Sequence, residues 1–155
     1  MARQNNRGEI TMKKQMTKLE LLQDTIRYYS ENPKERRATI DVYCEDGSSL
    51  PCDCVYTTEN GQHCAVGRFF KKEHQSTDFQ YNVENSIIDI LDDMNPKELF
   101  VEEVQDIPQW LWTALQGLHD IDKNWDKKGL AYQGADRAEM IYQKIIKSEG
   151  ENNDE

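Results

Sequence analysis

Cysteine and histidine are the residues of this 155-residue chain whose chemistry could be catalytic or metal-binding. The four cysteines, Cys44, Cys52, Cys54 and Cys64, follow the spacing C-x7-C-x-C-x9-C. Structural zinc sites usually place their thiolates in closely paired turns such as C-x2-C, which this spacing lacks. We therefore interpret the four side chains first as reduced, buried thiols that pack as small apolar groups, with zinc binding and redox chemistry as alternatives.

Two of the histidines stand beside a residue that could support acid–base or nucleophilic chemistry. His119 precedes Asp120, but adjacent residues of a helix point about 100° apart and are not expected to face each other. His63 precedes Cys64, but adjacent residues of a strand lie on opposite faces, so this pair cannot form a dyad by itself. The sequence therefore predicts no catalytic, cofactor-binding or metal-ligating residue. A small enzyme or zinc module that uses Cys54, Cys64 and His119 is the alternative.

The cysteines belong to a segment, Thr39 to Phe70, in which apolar and polar residues alternate as in β-strands. Two matching tripeptides, Glu45-Asp46-Gly47 and Glu59-Asn60-Gly61, predict the turns of two hairpins. Two-residue turns would scatter the cysteines over both faces of the sheet. Three-residue turns collect the thiols and the aliphatic residues on one face, so we predict this register.

The three-residue turns define which residues oppose each other. The predicted pairs are Ile40 with Cys52, Val42 with Leu50, Tyr56 with Cys64, and Cys54 with Val66. Three consecutive strands joined by two hairpins form an antiparallel meander. The opposite, more polar face of this meander would carry Asp41, Tyr43 and Asp53.

Helical patterns lie on both sides of the cysteine segment. Thr17 and Glu20 have the spacing of a capping box, and the apolar residues after them recur at helical intervals. Asn95 and Pro96 are typical of an N-cap and of the first helical position. The predicted helices span about residues 18–30, 84–94, 95–104, 108–125 and 136–147. The predicted fold is therefore α+β, a three-stranded antiparallel β-meander packed against about four to five α-helices.

The two ends of the chain lack apolar periodicity. Residues 1–16 are predicted to be a disordered N-terminal extension and residues 148–155 a disordered acidic tail. Residues 17–147 are predicted to form a single α+β domain.

Composition narrows the classes of partner. The formal net charge of −10 disfavours direct binding to nucleic acid, which needs a basic surface. The chain has no apolar run near the roughly 20 residues that span a membrane, and its N-terminus lacks the apolar stretch of a secretory signal. We therefore expect a cytoplasmic protein without a cofactor, whose acidic surface suits a basic protein partner.

Two tryptophans are candidates for contact with such a partner. Trp110 and Trp112 differ by about 200° around a helix. They therefore cannot both join the stripe of Leu111, Leu115 and Leu118. We predict that one of them lies at the surface, where tryptophan is a frequent anchor of protein interfaces. The further candidates are Asp41, Tyr43 and Asp53 on the polar face of the meander.

Two parts of the sequence form a recognisable set of motifs. They read C-x-Y and G-x-x-C-A-V-G at residues 54–56 and 61–67, and L-Q-G-L-H-D at residues 115–120 with Trp125 downstream. This set resembles a family of small uncharacterised proteins found in bacteriophages and bacterial genomes, over about residues 19–146. The chain departs from that family by carrying Cys44 and Cys52 in an additional strand. The resemblance implies a phage or prophage setting and the host cytoplasm, with no activity to carry over.

These observations predict a non-enzymatic, phage-type accessory protein that acts by binding another protein. One version is an acidic inhibitor of a host factor, in which the negative surface mimics or masks a nucleic-acid site. The alternative is the small enzyme or zinc-binding module built on Cys54, Cys64 and His119.

Overall fold

The computed structural model describes residues 14–38, 40–43, 49–52, 56–82 and 86–153. The helices in this part of the chain are α1 (Lys18–Glu31), α2 (Pro33–Arg36), α3 (Ile87–Asp93), α4 (Pro96–Leu99), α5 (Gln109–Asp120) and α6 (Tyr132–Asn153). The strands form two antiparallel pairs, β1 (Ile40–Tyr43) with β2 (Ser49–Cys52) and β3 (Trp125–Asp126) with β4 (Gly129–Leu130). Short 3-10 helices span Gly67–Phe69, Lys72–His74, Glu102–Val104 and Asp122–Asn124. The fold therefore mixes helices with antiparallel sheet, as predicted.

Helix α5 is the centre of the core. It contacts α1, α3 and α6, and α1 also contacts α6. Leu111, Trp112, Leu115 and Leu118 of α5 are all fully buried. In the part of the chain that the structure describes, each helix is too short or too polar to cross a lipid bilayer.

Local capping signals mark the starts of α1 and α4 as predicted, whereas α3 begins at Ile87 instead of residue 84 and α6 begins at Tyr132 instead of residue 136. The Thr17 hydroxyl accepts a hydrogen bond from the Glu20 N–H, and the Glu20 carboxylate accepts one from the Thr17 N–H, which completes the predicted capping box. Ser86 and Asp89 form a second capping box at the start of α3. Asn95 caps α4, where Pro96 takes the first helical position as predicted.

The predicted helix ends are less accurate than the starts. Helix α4 ends at Leu99, not near Val104, and a separate 3-10 turn follows it. Helix α5 ends at Asp120 instead of reaching Trp125. The chain turns back after Asp120, and the side chains of Asn124 and Trp125 donate to the Leu118 carbonyl oxygen at 3.0 and 2.9 Å. These bonds satisfy a terminal carbonyl that a longer helix would have used internally.

The first hairpin has the predicted register, but the three-stranded meander is wrong. Ile40 pairs with Cys52 and Val42 pairs with Leu50. The remaining partners across this hairpin are Asp41 with Pro51 and Tyr43 with Ser49. In the described residues, the second predicted pairing is reduced to a single antiparallel bridge between Thr57 and His63.

The second pairing stops because the chain folds over itself after Cys64. The Cys64 N–H donates to the Tyr56 carbonyl oxygen at 3.1 Å, so the predicted alignment of these two residues is kept. The next residues turn into the 3-10 helix that starts at Gly67. A Cβ atom at Gly67 would lie 2.5 Å from the Tyr56 carbonyl oxygen, so the backbone crosses Tyr56 where a third strand would have continued alongside it. The predicted pair of Cys54 with Val66 lies outside the described residues.

The chain ends differ from the prediction on the C-terminal side. Helix α6 runs to Asn153, so the acidic segment predicted to be disordered from Ser148 is helical there. On the N-terminal side, Gln15 donates to the Glu102 carbonyl oxygen at 2.7 Å and the Met16 N–H donates to the Glu103 carbonyl oxygen at 2.8 Å. Residues 1–13 lie outside the described residues.

Candidate functional site

His119 is fully buried in a polar cluster at the C-terminal end of α5. Its Nδ1 atom lies 2.8 Å from Oδ1 of Asp120, and the Ala38 N–H points at its Nε2 atom at 3.2 Å. Because the backbone N–H can only donate, Nε2 accepts, and the ring proton sits on Nδ1 and is donated to Asp120. The expectation that these adjacent side chains would not meet is wrong. Asp120 is the last residue of the helix, and its side chain folds back toward the imidazole there.

Burial keeps this imidazole neutral. Burial, with a smaller contribution from the charge of Arg37, lowers the pKa of His119 from its ordinary 6.5 to about 3. The Ala38 N–H also favours the neutral form of His119, because a second ring proton on Nε2 would point at this N–H and the hydrogen bond would be lost. A neutral, fully buried His119 accepts a hydrogen bond from Ala38 and donates one to Asp120.

This burial predicts a specific acid sensitivity. Below pH 6.5 the unfolded chain binds a proton on His119 that the folded chain does not bind until about pH 3. Stability from this group is therefore complete above pH 6.5 and is lost as the pH falls through that window, by at most about 1.4 kcal/mol per pH unit. His119→Gln keeps an acceptor for Ala38 but cannot titrate. The free energy of unfolding of both proteins should be measured by urea unfolding between pH 7 and pH 4. Its slope against pH should be smaller in the variant by the equivalent of about one bound proton. Equal slopes would contradict a neutral His119.

Cys64 is buried in the same region and is a free thiol. Burial raises the pKa of Cys64 to about 12, with a smaller contribution from the charge of Asp120. The Gly67 N–H donates to its Sγ atom at 3.1 Å. At neutral pH the group is therefore a protonated thiol, which is a poor nucleophile. The prediction of a buried, reduced thiol is confirmed for Cys64, and the side chains of the other three cysteines lie outside the described residues.

Tyr29 of α1 closes this cluster. Its ring packs against the His119 ring with centroids 5.0 Å apart, and its hydroxyl donates to the His63 carbonyl oxygen at 2.6 Å. Tyr29, Cys64 and His119 are each without measurable exposure to solvent. The fold does bring Cys64 and His119 into one region, around the Tyr29 ring, where both side chains are fully buried. In the residues that the structure describes, no three His, Cys, Asp or Glu side chains are placed to share a metal ion.

His63 makes a second contact with catalytic potential that the sequence did not suggest. Its Nδ1 atom lies 3.1 Å from the Thr57 hydroxyl, at the edge of a polar cavity that Lys72 and Ser76 also line. Burial lowers the pKa of His63, followed by the charge of Arg68. Hydroxyl nucleophiles need a base that a third group orients, and among the described residues no carboxylate contacts this imidazole. We therefore assign the pair a structural role in the short bridge between Thr57 and His63.

One of the two tryptophans of α5 is buried and the other is partly exposed, as predicted. Trp112 is fully buried and stacks on Phe100 with ring centroids 4.6 Å apart and planes at 11°. Trp110 is only partly buried, and Nζ of Lys144 on α6 lies 4.7 Å from its ring centroid. Of these two contact candidates, Trp110 keeps an accessible surface and Trp112 belongs to the core.

The other predicted contact residues belong to the first hairpin. Asp41 and Tyr43 lie in β1, where their backbones pair with Pro51 and Ser49, and their role as contact residues stays a prediction. Asp53 lies outside the described residues.

The exposed apolar residues of α6 are a feature that sequence reasoning missed. Among the described residues, the large apolar side chains with the most exposure are Ile88 on α3 and Tyr132, Met140, Tyr142 and Ile146 on α6. Ala138, Ile141 and Ile145 face inward from α6 and are buried. A second set at intervals of three and four residues follows the outer side, namely Tyr132, Ala135, Glu139, Tyr142 and Ile146. We call this set the outer face of α6. Its heptad-like spacing was readable in the sequence.

No protein-family model, curated protein or solved structure matches this chain.

Proposed function

We propose that this protein is a non-enzymatic accessory protein of phage type that acts in the host cytoplasm by binding another protein. The phage setting is supported by the motif resemblance at residues 54–67 and 115–125. The binding role is supported by the surface of α6. The burial of Cys64 and His119 favours this proposal over an enzyme built on those residues.

The outer face of α6 is the observation that carries the binding role. Tyr132 is 85% exposed, Tyr142 37% and Ile146 43%. These side chains are separated by ten and four residues, so they lie along one side of a helix of 22 residues. Exposed apolar side chains at heptad spacing are typical of a helix that packs into an apolar groove or against another helix.

Charge indicates the chemistry of the partner. The chain carries a net charge of −10, and Glu139 lies within the outer face of α6 between its apolar residues. A carboxylate buried in an interface needs a cationic or hydrogen-bonding partner. The complementary surface is therefore an apolar groove with lysine or arginine at its rim, on a basic host protein. An inhibitor that covers a nucleic-acid-binding site of the host would meet such a surface.

A matched pair of isoleucines provides the test. Ile146 on α6 and Ile88 on α3 are exposed to almost the same extent, at 43% and 45%. The partner would be recovered by photo-crosslinking from position 142, identified, purified and titrated by calorimetry. Ile146→Gln should weaken its binding at least tenfold, because glutamine cannot replace the buried aliphatic contact. Ile88→Gln should change the affinity by less than about twofold.

Stability measurements separate binding from folding in this test. Both isoleucines are exposed, so both variants should melt within about 2 °C of the wild type. Equal affinity of both variants for the purified partner would refute the outer face of α6 as the contact surface. A partner with an acidic contact surface would refute the charge complementarity.

A further inference from the structure

A cavity of about 490 Å³ lies between the α1–α2 corner and the β3–β4 hairpin. Its lining includes Pro33, Lys34, Arg37, Trp125, Asp126 and Lys127. The volume lies within the range of small-molecule sites, about 300–1,000 Å³. These residues are separate from the outer face of α6, so a ligand site in this cavity is independent of the proposed function.

Both walls of this cavity are held by the fold. Pro33 occupies the first position of α2 and fixes the corner after α1. On the other side, the Lys128 N–H donates to Oδ1 of Asp126 at 2.7 Å, which shapes the turn that carries Lys127. Gly129 follows at a φ of +123°, and a Cβ atom there would lie 2.8 Å from the Ser30 hydroxyl. The glycine therefore lets the hairpin dock closely against the end of α1.

The lining of the cavity is locally basic in an acidic protein. Lys34, Arg37 and Lys127 face one carboxylate in the lining, Asp126, which is engaged by its own turn. Arg37 is buried, and its Nε atom donates to the His119 carbonyl oxygen at 2.8 Å. That carbonyl belongs to the last turn of α5, where the helix dipole favours a cation. The guanidinium is thus fixed in the cavity wall.

The ammonium groups of the two cavity lysines are available to bind a ligand. Neither the Lys34 nor the Lys127 ammonium group takes part in an ion pair or hydrogen bond within the described residues. Two free ammonium groups beside a fixed guanidinium match the charge and the acceptor oxygens of a phosphate group. The Pro33 ring and the Trp125 indole supply apolar surface next to these cations.

We propose that this cavity is a binding site for a small organic phosphate, with the phosphate group on Lys34, Lys127 and Arg37 and the organic part against Pro33 and Trp125. A nucleic-acid chain is a poor occupant, because the net charge of −10 repels a long polyanion. A small anion carries few charges and contacts only the local cations, and the volume of the cavity suits it.

The test uses the full chain, with ADP, inorganic pyrophosphate and adenosine as probes. Calorimetric titration should show binding of ADP, weaker binding of pyrophosphate and still weaker binding of adenosine. Lys34→Ala with Lys127→Ala should reduce the ADP affinity at least tenfold. Both side chains are exposed, so the double variant should fold like the wild type, as checked by circular dichroism.

A matched double variant controls for the loss of charge. Lys72→Ala with Lys97→Ala removes the same two positive charges at exposed positions outside this cavity and should keep the ADP affinity within about threefold. Equal losses in the two double variants would overturn the site, since the effect would then come from net charge. Adenosine binding as tight as ADP, or no binding of any probe below about 10 mM, would also overturn it.

Discussion

Trp112→Ala should destabilise this protein by about 3–5 kcal/mol, the cost typical of removing a large aromatic side chain from a packed core. Trp112 has no exposed surface and stacks on Phe100 with ring centroids 4.6 Å apart. Phe69 packs against its ring from another direction at 5.8 Å. For a chain of this length, such a loss lowers the melting temperature by roughly 10 °C or more. Chemical denaturation of both proteins measures the change directly.

Trp110→Ala is the control for this prediction. Trp110 is partly exposed, and its described contact with Lys144 is a surface cation–π interaction, which contributes about 0.5–1 kcal/mol. We therefore expect a loss near 1 kcal/mol. Trp112→Phe should cost less than Trp112→Ala, because it keeps the stack and removes an indole N–H that has no partner among the described residues. Equal losses for Trp110→Ala and Trp112→Ala would contradict the division into core and surface.

Gly134→Ala should destabilise the protein, although alanine favours a helix over glycine by about 1 kcal/mol. Gly134 lies in the first turns of α6, where the helix crosses the segment before β3. A Cβ atom at this position would overlap the Asn124 carbonyl oxygen and lie 2.8 Å from Cδ2 of Leu130. Because the first of these neighbours is backbone, α6 or the 3-10 turn must move. The net loss should be about 1–3 kcal/mol, as for other overpacked sites, measured by urea unfolding.

Gly150→Ala should have the opposite effect on stability. Gly150 belongs to the same helix, but a Cβ atom there would have no neighbour within 4 Å. Only helix propensity acts at this position, so the protein should gain up to about 1 kcal/mol, less if the helix end frays. A loss at Gly150 or a gain at Gly134 would contradict the described placement of α6.

Interactions between residues close in the chain were predicted well. The capping box of Thr17 and Glu20 and the Asn95-Pro96 start involve residues at most three positions apart. Such contacts form whenever the local backbone is helical, independently of the rest of the fold. The first hairpin belongs to the same class. A short turn and a period of two leave few registers, and only one of them collects the apolar side chains on one face.

The prediction of a third strand is wrong because the residue that takes over its hydrogen bonds, Asn82, is distant in the chain. Asn82 accepts the Tyr56 N–H at its carbonyl oxygen and the Thr57 N–H at its side chain, at 3.1 and 2.8 Å. Its amide group also donates to the Thr57 carbonyl oxygen at 2.9 Å. These bonds satisfy backbone groups near the place where the predicted sheet would have continued. Pairing over 25 positions leaves no periodic signal in a short sequence window.

What the sequence by itself determined is where α1, α4 and α5 begin, the register of the first hairpin, the inward stripe of α5 and the acidic character of the surface. Each of these follows from residue types within one or two turns of the chain. Only the tertiary structure decided that Trp112 and not Trp110 is buried, and that His119 meets Asp120. It alone placed Lys34 opposite Lys127, 93 positions apart along the chain, at one cavity. The physical reason is that burial and electrostatic environment depend on which elements pack together, and packing is shared among the whole set of apolar faces.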